Sequence, residues 1–335
     1  MTIIQYTGLC NLRSRVLLRT IAGGAMATLA AAAAPAAAQS AWRPDHQVTI
    51  VVPYVPGGGT DASARATAKL LGERWGQPVV VLNMPGADGL IGTRHVTDAK
   101  PDGYTLLLQT PAIVLTKHAP SFSGPDPLTR LVPVTNIAQS PGVIVANGKF
   151  PASTLPELIN YCKSAPTPCS MGTGENVAKL FGQQLKAEAL PNLIVVNYKG
   201  TAAIITDMIA NTVNFAVTGV TSALPYQKSG QLKIVANQGT HRFPQAPDVA
   251  TVVETSMPEY EYTTWFGLFA PKGTPQKVTQ GIYAAVHEAM RSPELQKAIA
   301  AVGAEPLVNT PDEFAAQVRG EDERFTALAK RFPLN

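Results

Sequence analysis

The chain has 335 residues, 45% of them hydrophobic and 15% charged, with 27 basic against 23 acidic side chains and a formal net charge of +4. Three of the basic residues, Arg13, Arg15 and Arg19, fall within residues 1–38, which hold no acid, so the remainder carries only +1. A body so close to neutrality lacks the electrostatic footprint of a nucleic-acid or acidic-membrane binder, and it is long enough for two modest α/β domains.

The N-terminal stretch follows its arginines with a run of Ala, Gly, Leu and Met from Ile21 and closes on Ala36-Ala37-Ala38 before Gln39. That order predicts a cleaved signal peptide over residues 1–38 and export to the periplasm. The run is too short and too rich in alanine for a span of about 20 strongly apolar residues. Cys10 precedes the run, whereas a lipid-anchoring cysteine would follow it, so a free protein is expected. Beyond the signal only Cys162 and Cys169 remain, in YCKSAPTPC. They either close a small loop across two prolines or stay as two thiols, structural in both cases.

VTIVVPYV at 48–55 is a short apolar run bounded by Pro and Gly, the pattern of a buried parallel strand. Ala64, Ala68, Leu71 and Trp75 then recur at helical spacing, with Gly76 placed to end the helix. PVVVLN at 78–83 returns as a strand, completing a βαβ unit. The alternation continues through TLLLQ, VIVAN, LPELINYC, LIVVNY, AIITDMIA, VNFAVTG and LKIVANQ, which predicts a mainly parallel sheet covered by helices. Near the C-terminus Thr274-Pro275, Ser292-Pro293 and Thr310-Pro311 each offer a capping hydroxyl followed by proline at the first helical position. Val278, Ile282 and Val286, then Leu295, Ile299 and Val302, form the apolar stripes of the helices that follow. No linker of low complexity separates the domains, so ordered strands are expected to join them.

The chemistry is concentrated in PYVPGGGTD, Pro53 to Asp61, between a strand and a helix. Gly57, Gly58 and Gly59 expose N–H groups with no side chain in front of them, beside a helix N-terminus with Thr60 or Asp61 as its cap. Such a loop suits a carboxylate held by neutral backbone donors; the bland alternative is a tight structural turn. Gly57-x-Gly59-x-x-Ala62 also fits a dinucleotide fingerprint and hence a secreted oxidoreductase. Against this, the second strand ends in Asn83 where a ribose-binding acid belongs, Pro53 and Pro56 crowd the turn, and a secreted protein meets little NAD. A Walker loop is excluded because no Lys-Ser or Lys-Thr follows the glycines. GTGENVAK at 172–179 is a second glycine-rich strand-to-helix turn, either a facing anion loop or a surface turn. Lys179 and Lys199 could add charge there, and Arg65 could brace Asp61, although a lysine is more often simply solvated. The five histidines are scattered, no G-x-S-x-G elbow occurs, and no metal site, cofactor or catalytic group is expected.

From Trp42 to about Phe332 the chain resembles the solute receptors of tripartite tricarboxylate transporters, often called Bug-type receptors. The motifs that carry this are PGGGTD at 56–61, NMPGADGLIGT at 83–93, PDGYTLLL at 101–108, YKGTAAIITDMI at 198–209, SALPYQKSGQLK at 222–233, PDVATVVE at 247–254, WFGLFAPKGTP at 265–275 and GAEPLVNTPDEFAAQV at 303–318. The resemblance implies a type II periplasmic-binding-protein fold: two α/β lobes, residues 42–142 plus 262–335 and residues 143–261, joined by two crossover strands around a ligand cleft. It implies a monomer that captures a small carboxylate and delivers it to transporter membrane subunits, with a sensor protein as the alternative partner. The ligand-binding residues it implies are Tyr54, Pro56, Gly57, Gly58, Gly59, Thr60 and Asp61 in the first loop and Thr173, Gly174, Glu175 and Asn176 in the second. Thr110, Thr218 and Gly219 are implied at strand ends lining the cleft. The chain departs from the family at the second loop, which is shorter and carries Glu175 and Lys179 in place of a Ser/Thr-rich run ending in His. Thr218 stands where many relatives have an Asp suited to an amine, which argues against an amino acid as the solute. Pro111 to Leu131 is also atypical.

Overall fold

A computed structural model describes residues 42–120, 122–198 and 200–334. The expected signal peptide at 1–38 and the side chain of Lys199 lie outside the described residues. The first strand β1 (Val48–Val52) leads through the glycine loop into helix α1 (Gly59–Trp75), then β2 (Val79–Asn83), α2 (Leu90–Thr97), β3 (Thr105–Gln109) and a short helix α3 (Ala112–Thr116). A 17-residue strand β4 (Leu131–Asn147) carries the chain onward to α4 (Leu155–Ser164), β5 (Ser170–Thr173), α5 (Asn176–Glu188), β6 (Ile194–Asn197) and α6 (Thr201–Ile209). Then come β7 (Phe215–Gly219), α7 (Val220–Lys228) and β8 (Leu232–Asn237), before β9 (Thr263–Pro271), α8 (Gln276–Ala289), α9 (Pro293–Ala301), β10 (Glu305–Pro306) and α10 (Pro311–Arg331).

The strands run in the order β2-β1-β3-β9-β4-β7-β5-β6, with β8 and β10 also paired to β4. The sheet is mixed, which corrects the expectation of a mainly parallel one. β2-β1-β3 and β7-β5-β6 are parallel, but β4 and β9 run antiparallel to their neighbours. The physical reason is the length of β4: it pairs with β9 through Pro141 and with β7 and β8 from Gly142 onward, so one strand belongs to two sheets. A strand that leaves one sheet to enter another cannot be a right-handed βαβ crossover within either. At the changeover Gly142 N–H donates to Tyr262 O at 3.1 Å, Gln238 N–H to Gly142 O at 2.8 Å and Tyr262 N–H to Gln238 O at 2.7 Å. A Cβ on Gly142 would lie 2.7 Å from Gln238 Oε1 and 3.1 Å from the Tyr262 ring, so the side chains of the two crossing segments occupy the room a side chain here would need.

Alternation along each strand fills both faces of both sheets. Val48, Ile50, Val52, Leu106 and Leu108 pack with α1, α8 and α9, while Val51 and Leu107 turn to the opposite face with Trp265, Phe269 and Phe314. In the second lobe Ile144, Phe215 and Val217 pack with α4 and α5, and Val143, Val145 and Ala216 pack with α6 and α7. Each lobe is therefore a sheet between two helix layers, the two-lobed α/β architecture. The Ala64, Ala68, Leu71 and Trp75 stripe of α1 is buried as its spacing requires, and Gly76 ends the helix in the left-handed conformation at φ 67°. The proline-led helices divide. Thr310 makes a full capping box with Glu313, Ser292 is an N-cap whose hydroxyl makes no capping bond, and Pro275 takes the N-cap position itself while Thr274 donates to Pro271 O. Cys162 and Cys169 are joined by a disulfide between the end of α4 and the start of β5.

Helix α10 is fastened to the crossover by a partly buried polar chain. Trp265 Nε1 donates to Glu321 Oε2 at 2.7 Å, Gln317 Nε2 donates to Glu321 Oε1 at 3.3 Å, and Asn136 Nδ2 donates to Gln317 Oε1 at 2.9 Å. Burial pushes the Glu321 carboxyl up to about 7, against the downward pull of those two donors. A carboxyl raised on folding destabilises the fold when it ionises, so stability falls as pH climbs from the unfolded value near 4.5 through 7. Glu321→Gln keeps an acceptor for Trp265 and removes the ionisation. Urea denaturation is expected to show the variant gaining about 2 kcal/mol over the parent between pH 4.5 and pH 8. A difference that does not change with pH would contradict this.

Candidate ligand-binding cleft

The first loop leaves β1 at Pro53 and enters α1 with Gly58 as its N-cap. Neither Thr60 nor Asp61 caps this helix, which corrects the expectation, because Asp61 lies inside the first turn and its carboxylate turns back on the loop. It accepts from Gly57 N–H at 3.0 Å, Arg65 Nε at 3.0 Å and Asn83 Nδ2 at 2.9 Å, and Arg65 also bridges to Asn83 Oδ1 at 2.9 Å. Asn83 Nδ2 also donates to Tyr54 O at 3.1 Å. Burial opposes ionisation of Asp61, but the donors from Arg65, Gly57 and Asn83 hold its carboxyl below the usual carboxylate range. Asp61 therefore shapes the loop from beneath. Arg65 braces it as the sequence suggested.

What this leaves facing outward is backbone. With Gly57 N–H engaged by Asp61, the free donors are those at the start of α1, which has no side-chain cap. A Cβ built on Gly57 or Gly58 meets nothing within 4 Å, so the crest of the loop opens on empty space, whereas one on Gly59 would lie 3.3 Å from Thr221 Oγ1 of the second lobe. Val55 and Pro56 are exposed beside it. Tyr54 forms the floor: its hydroxyl is bonded to Gln109 Oε1 and lies 2.7 Å from Thr110 Oγ1, and Gln109 Nε2 in turn donates to Thr93 Oγ1 at 3.0 Å. Gly92 lies so close to Pro53 and Met84 O, 2.9 Å from a built Cβ to each, that any side chain would push the loops apart.

The second lobe presents the ends of β5 and β7. Thr173 is buried and its hydroxyl donates to Glu175 O at 3.1 Å, closing the turn before α5. Gly174 lies against Gly200, 3.6 Å from its built Cβ to Gly200 Cα, which brings the start of α6 to the same place. Asn176 Nδ2 and Thr218 Oγ1 are buried with no hydrogen-bond partner within 3.5 Å among the described residues, and Asn176 stands near enough to Asp88 to draw its carboxyl down against the opposing effect of burial. A buried donor left unpaired costs about 1–3 kcal/mol, so such atoms mark where a further group belongs. Gly219, the N-cap of α7, again faces open space. Helices α5, α6 and α7 all start here without a side-chain cap, as α1 does across the cleft.

The lobes meet on both flanks of this space. Thr221 Oγ1 donates to Val302 O, and on the other side Val177 and Leu180 of α5 share a cluster with Ile113, Leu115 and Phe325. Burial, and then the charge of Glu175, pushes the hydroxyls of both Tyr54 and Tyr262 up, so the first-lobe floor, the crossover and the second loop lie within electrostatic reach of one another. The residues implied by the resemblance thus converge, with two differences of role: Asp61 acts within its loop, and Gly57 offers no free amide. Sequence reading did not single out Asp88, Gln109, Thr221 or Tyr262. Only Asp88, inside the glycine-rich NMPGADGLIGT, carried a signal that could have marked it. A separate cavity of about 230 Å³, lined by Gln139, His241, Trp265 and Glu321, lies behind the crossover and shares Tyr262 and Phe325 with these groups.

Residues 63–334 match the tripartite tricarboxylate transporter family receptor. The chain belongs to this receptor family. It is 33% identical over 316 residues to protein BugT of Bordetella pertussis, covering 92% of this chain and 95% of that protein. A Rhodopseudomonas palustris protein solved with adipate superposes with a TM-score of 0.78 at 29% identity, over 86% of this chain and 97% of the other. MatC from the same organism, solved with bound malate, gives 0.73 at 28% identity over 85% and 99%. No helix among the described residues is long and apolar enough to cross a membrane, and none of their His, Cys, Asp or Glu clusters is arranged to hold a metal.

The Asp61 knot gives this receptor a clear stability signature. Asp61→Ala is expected to cost about 2 kcal/mol at pH 7 by removing charge-assisted bonds to Arg65, Gly57 and Asn83. A carboxyl lowered on folding stabilises above its unfolded value of 3.8 and ceases to do so as pH falls through the folded one. The penalty should therefore shrink in acid, as measured by urea denaturation at pH 7 and pH 3. A constant penalty would show that the knot is not ionic.

Proposed function

We propose that the protein is a periplasmic receptor that binds a small organic carboxylate between its lobes and passes it to the membrane subunits of a tripartite tricarboxylate-type transporter. The observation that carries the reading is the pairing of side-chain-free backbone at Gly58 and Gly219 with the unpartnered Asn176 Nδ2 and Thr218 Oγ1. Together they offer neutral donors from both lobes to one anion, at helix N-termini whose dipoles favour negative charge. Adipate and malate in the related structures are ligands of that chemistry. The Cys162–Cys169 bridge agrees with an oxidising compartment.

Binding proceeds without bond chemistry. A ligand touching Gly58 and Thr110 on one lobe and Asn176 and Thr218 on the other stabilises the closed arrangement because only that arrangement offers both sets of donors. The lobes are residues 42–142 with 262–335 and residues 143–261, and the crossing at Gly142, Gln238 and Tyr262 is the hinge between them. Closure in turn creates the surface that a membrane subunit would read.

The test is Gly58→Leu. The position has φ −78° and ψ 169°, open to any residue, and no neighbour within 4 Å of the built Cβ, so the fold should tolerate the change within about 0.5 kcal/mol. Carboxylate affinity of the refolded, ligand-stripped protein is expected to fall at least a hundredfold by calorimetry. Undiminished affinity would remove the glycine loop from the site.

A further inference from the structure

The cavity behind the crossover is walled by three aromatic side chains and one carboxylate without a counter-ion. It encloses about 230 Å³ between the strands that join the lobes, the segment after β8, and helix α10. Sites that enclose drug-sized ligands usually measure about 300–1,000 Å³, so an occupant here is smaller. Tyr262 reaches the cavity from the residue before β9, Trp265 from β9 itself and Phe325 from α10. The rings are fixed by their neighbours. Trp265 stands edge-on to Phe314 with centroids 5.2 Å apart, and Tyr262 meets Phe325 at 6.1 Å and 71°.

The charged and titratable groups that line the space are His241, Glu261, Glu321 and Arg324. Three of them are matched. Arg324 Nη1 donates to Glu261 Oε2 at 3.1 Å and its Nη2 to Glu261 O at 2.6 Å, while His241 Nε2 lies 3.1 Å from Glu305 Oε2. Glu321 is the exception. Its oxygens receive the neutral donors Trp265 Nε1 at 2.7 Å and Gln317 Nε2 at 3.3 Å, and no cation stands within ion-pair distance among the described residues. One face of Phe325 is taken by the Arg324 guanidinium, 5.6 Å from its centroid, whereas no described cation lies over Tyr262 or Trp265.

An anion entering this space would meet the charge of Glu321. A cation is drawn both by the carboxylate and by the electron-rich ring faces, the combination that recognises alkylated ammonium groups. A bare ammonium is compact and strongly hydrated and needs several acceptors, which this lining supplies poorly. Methyl groups on the nitrogen remove that need and give the aromatic walls apolar surface to cover. We propose that the cavity is a second ligand site, separate from the cleft, for a small alkylated ammonium ion that packs against Tyr262, Trp265 and Phe325 with its charge facing Glu321. The site is independent of the glycine loop, since such an ion carries no carboxylate for the loop to hold.

The experiment is amide and indole chemical-shift mapping of the isotope-labelled, ligand-stripped protein at pH 8, where Glu321 is ionised. The probes are choline, tetramethylammonium and the uncharged carbon isostere of choline, 3,3-dimethylbutanol. Choline is expected to move the Trp265 indole N–H saturably, and the alcohol to bind at least tenfold more weakly. Glu321→Gln, which keeps an acceptor for Trp265, should weaken choline at least tenfold, with thermal unfolding showing that the variant remains folded. A Trp265 indole that does not respond to choline, an alcohol that binds as tightly as choline, or undiminished choline affinity in the variant would each overturn the second site. None of these results bears on carboxylate binding in the cleft, which is read separately from the amides of Gly58 and Gly219.

Discussion

The structure depends on one buried carboxylate. Asp61 gathers Gly57 N–H, Arg65 and Asn83 around itself, and Asn83 reaches on to Tyr54 O, so strand β2, the glycine loop and the first turn of α1 are held as one unit. Glycine sequences are favoured for exposed backbone but lose more entropy on ordering than any other residue. The ionic knot offsets that cost and leaves the outer surface of the loop free of side chains. Tyr54, whose carbonyl is in the knot, sends its hydroxyl to Gln109 and Thr110 and so transmits the same order to the end of β3.

The second constraint is the crossing of the lobes. Because β4 serves both sheets, the lobes share a hydrogen-bonded strand that changes sheets at Gly142, where Gln238 and Tyr262 pack against a position without a side chain. Tyr262 is also a neighbour of Glu175, so the hinge and the second loop belong to one electrostatic environment.

Much of this was legible in the letters. Three glycines between an apolar strand and an amphipathic helix announce exposed backbone at a helix start, and the burial of Ala64, Ala68, Leu71 and Trp75 followed from spacing alone. The mixed sheet was not legible, because VIVAN was read as a separate short strand when it is the end of a 17-residue one, and strand direction is set by partners remote in sequence. Capping was misread at α1 because Asp61 has the right chemistry for a cap but stands three residues inside the helix, where its nearest donors are Gly57, Arg65 and Asn83.

The central claim is that ligand is held by backbone and neutral side-chain donors from both lobes at once. The most direct measurement is amide chemical-shift mapping of isotope-labelled, ligand-stripped protein on titration with the tightest-binding carboxylate found. The account predicts the largest shifts at Gly58, Gly59 and Thr60 together with Gly174, Asn176 and Gly219. Shifts confined to one lobe, or centred on the cavity of about 630 Å³ lined by Asn147, Tyr161 and Gly230 at the opposite end of the second lobe, would contradict it.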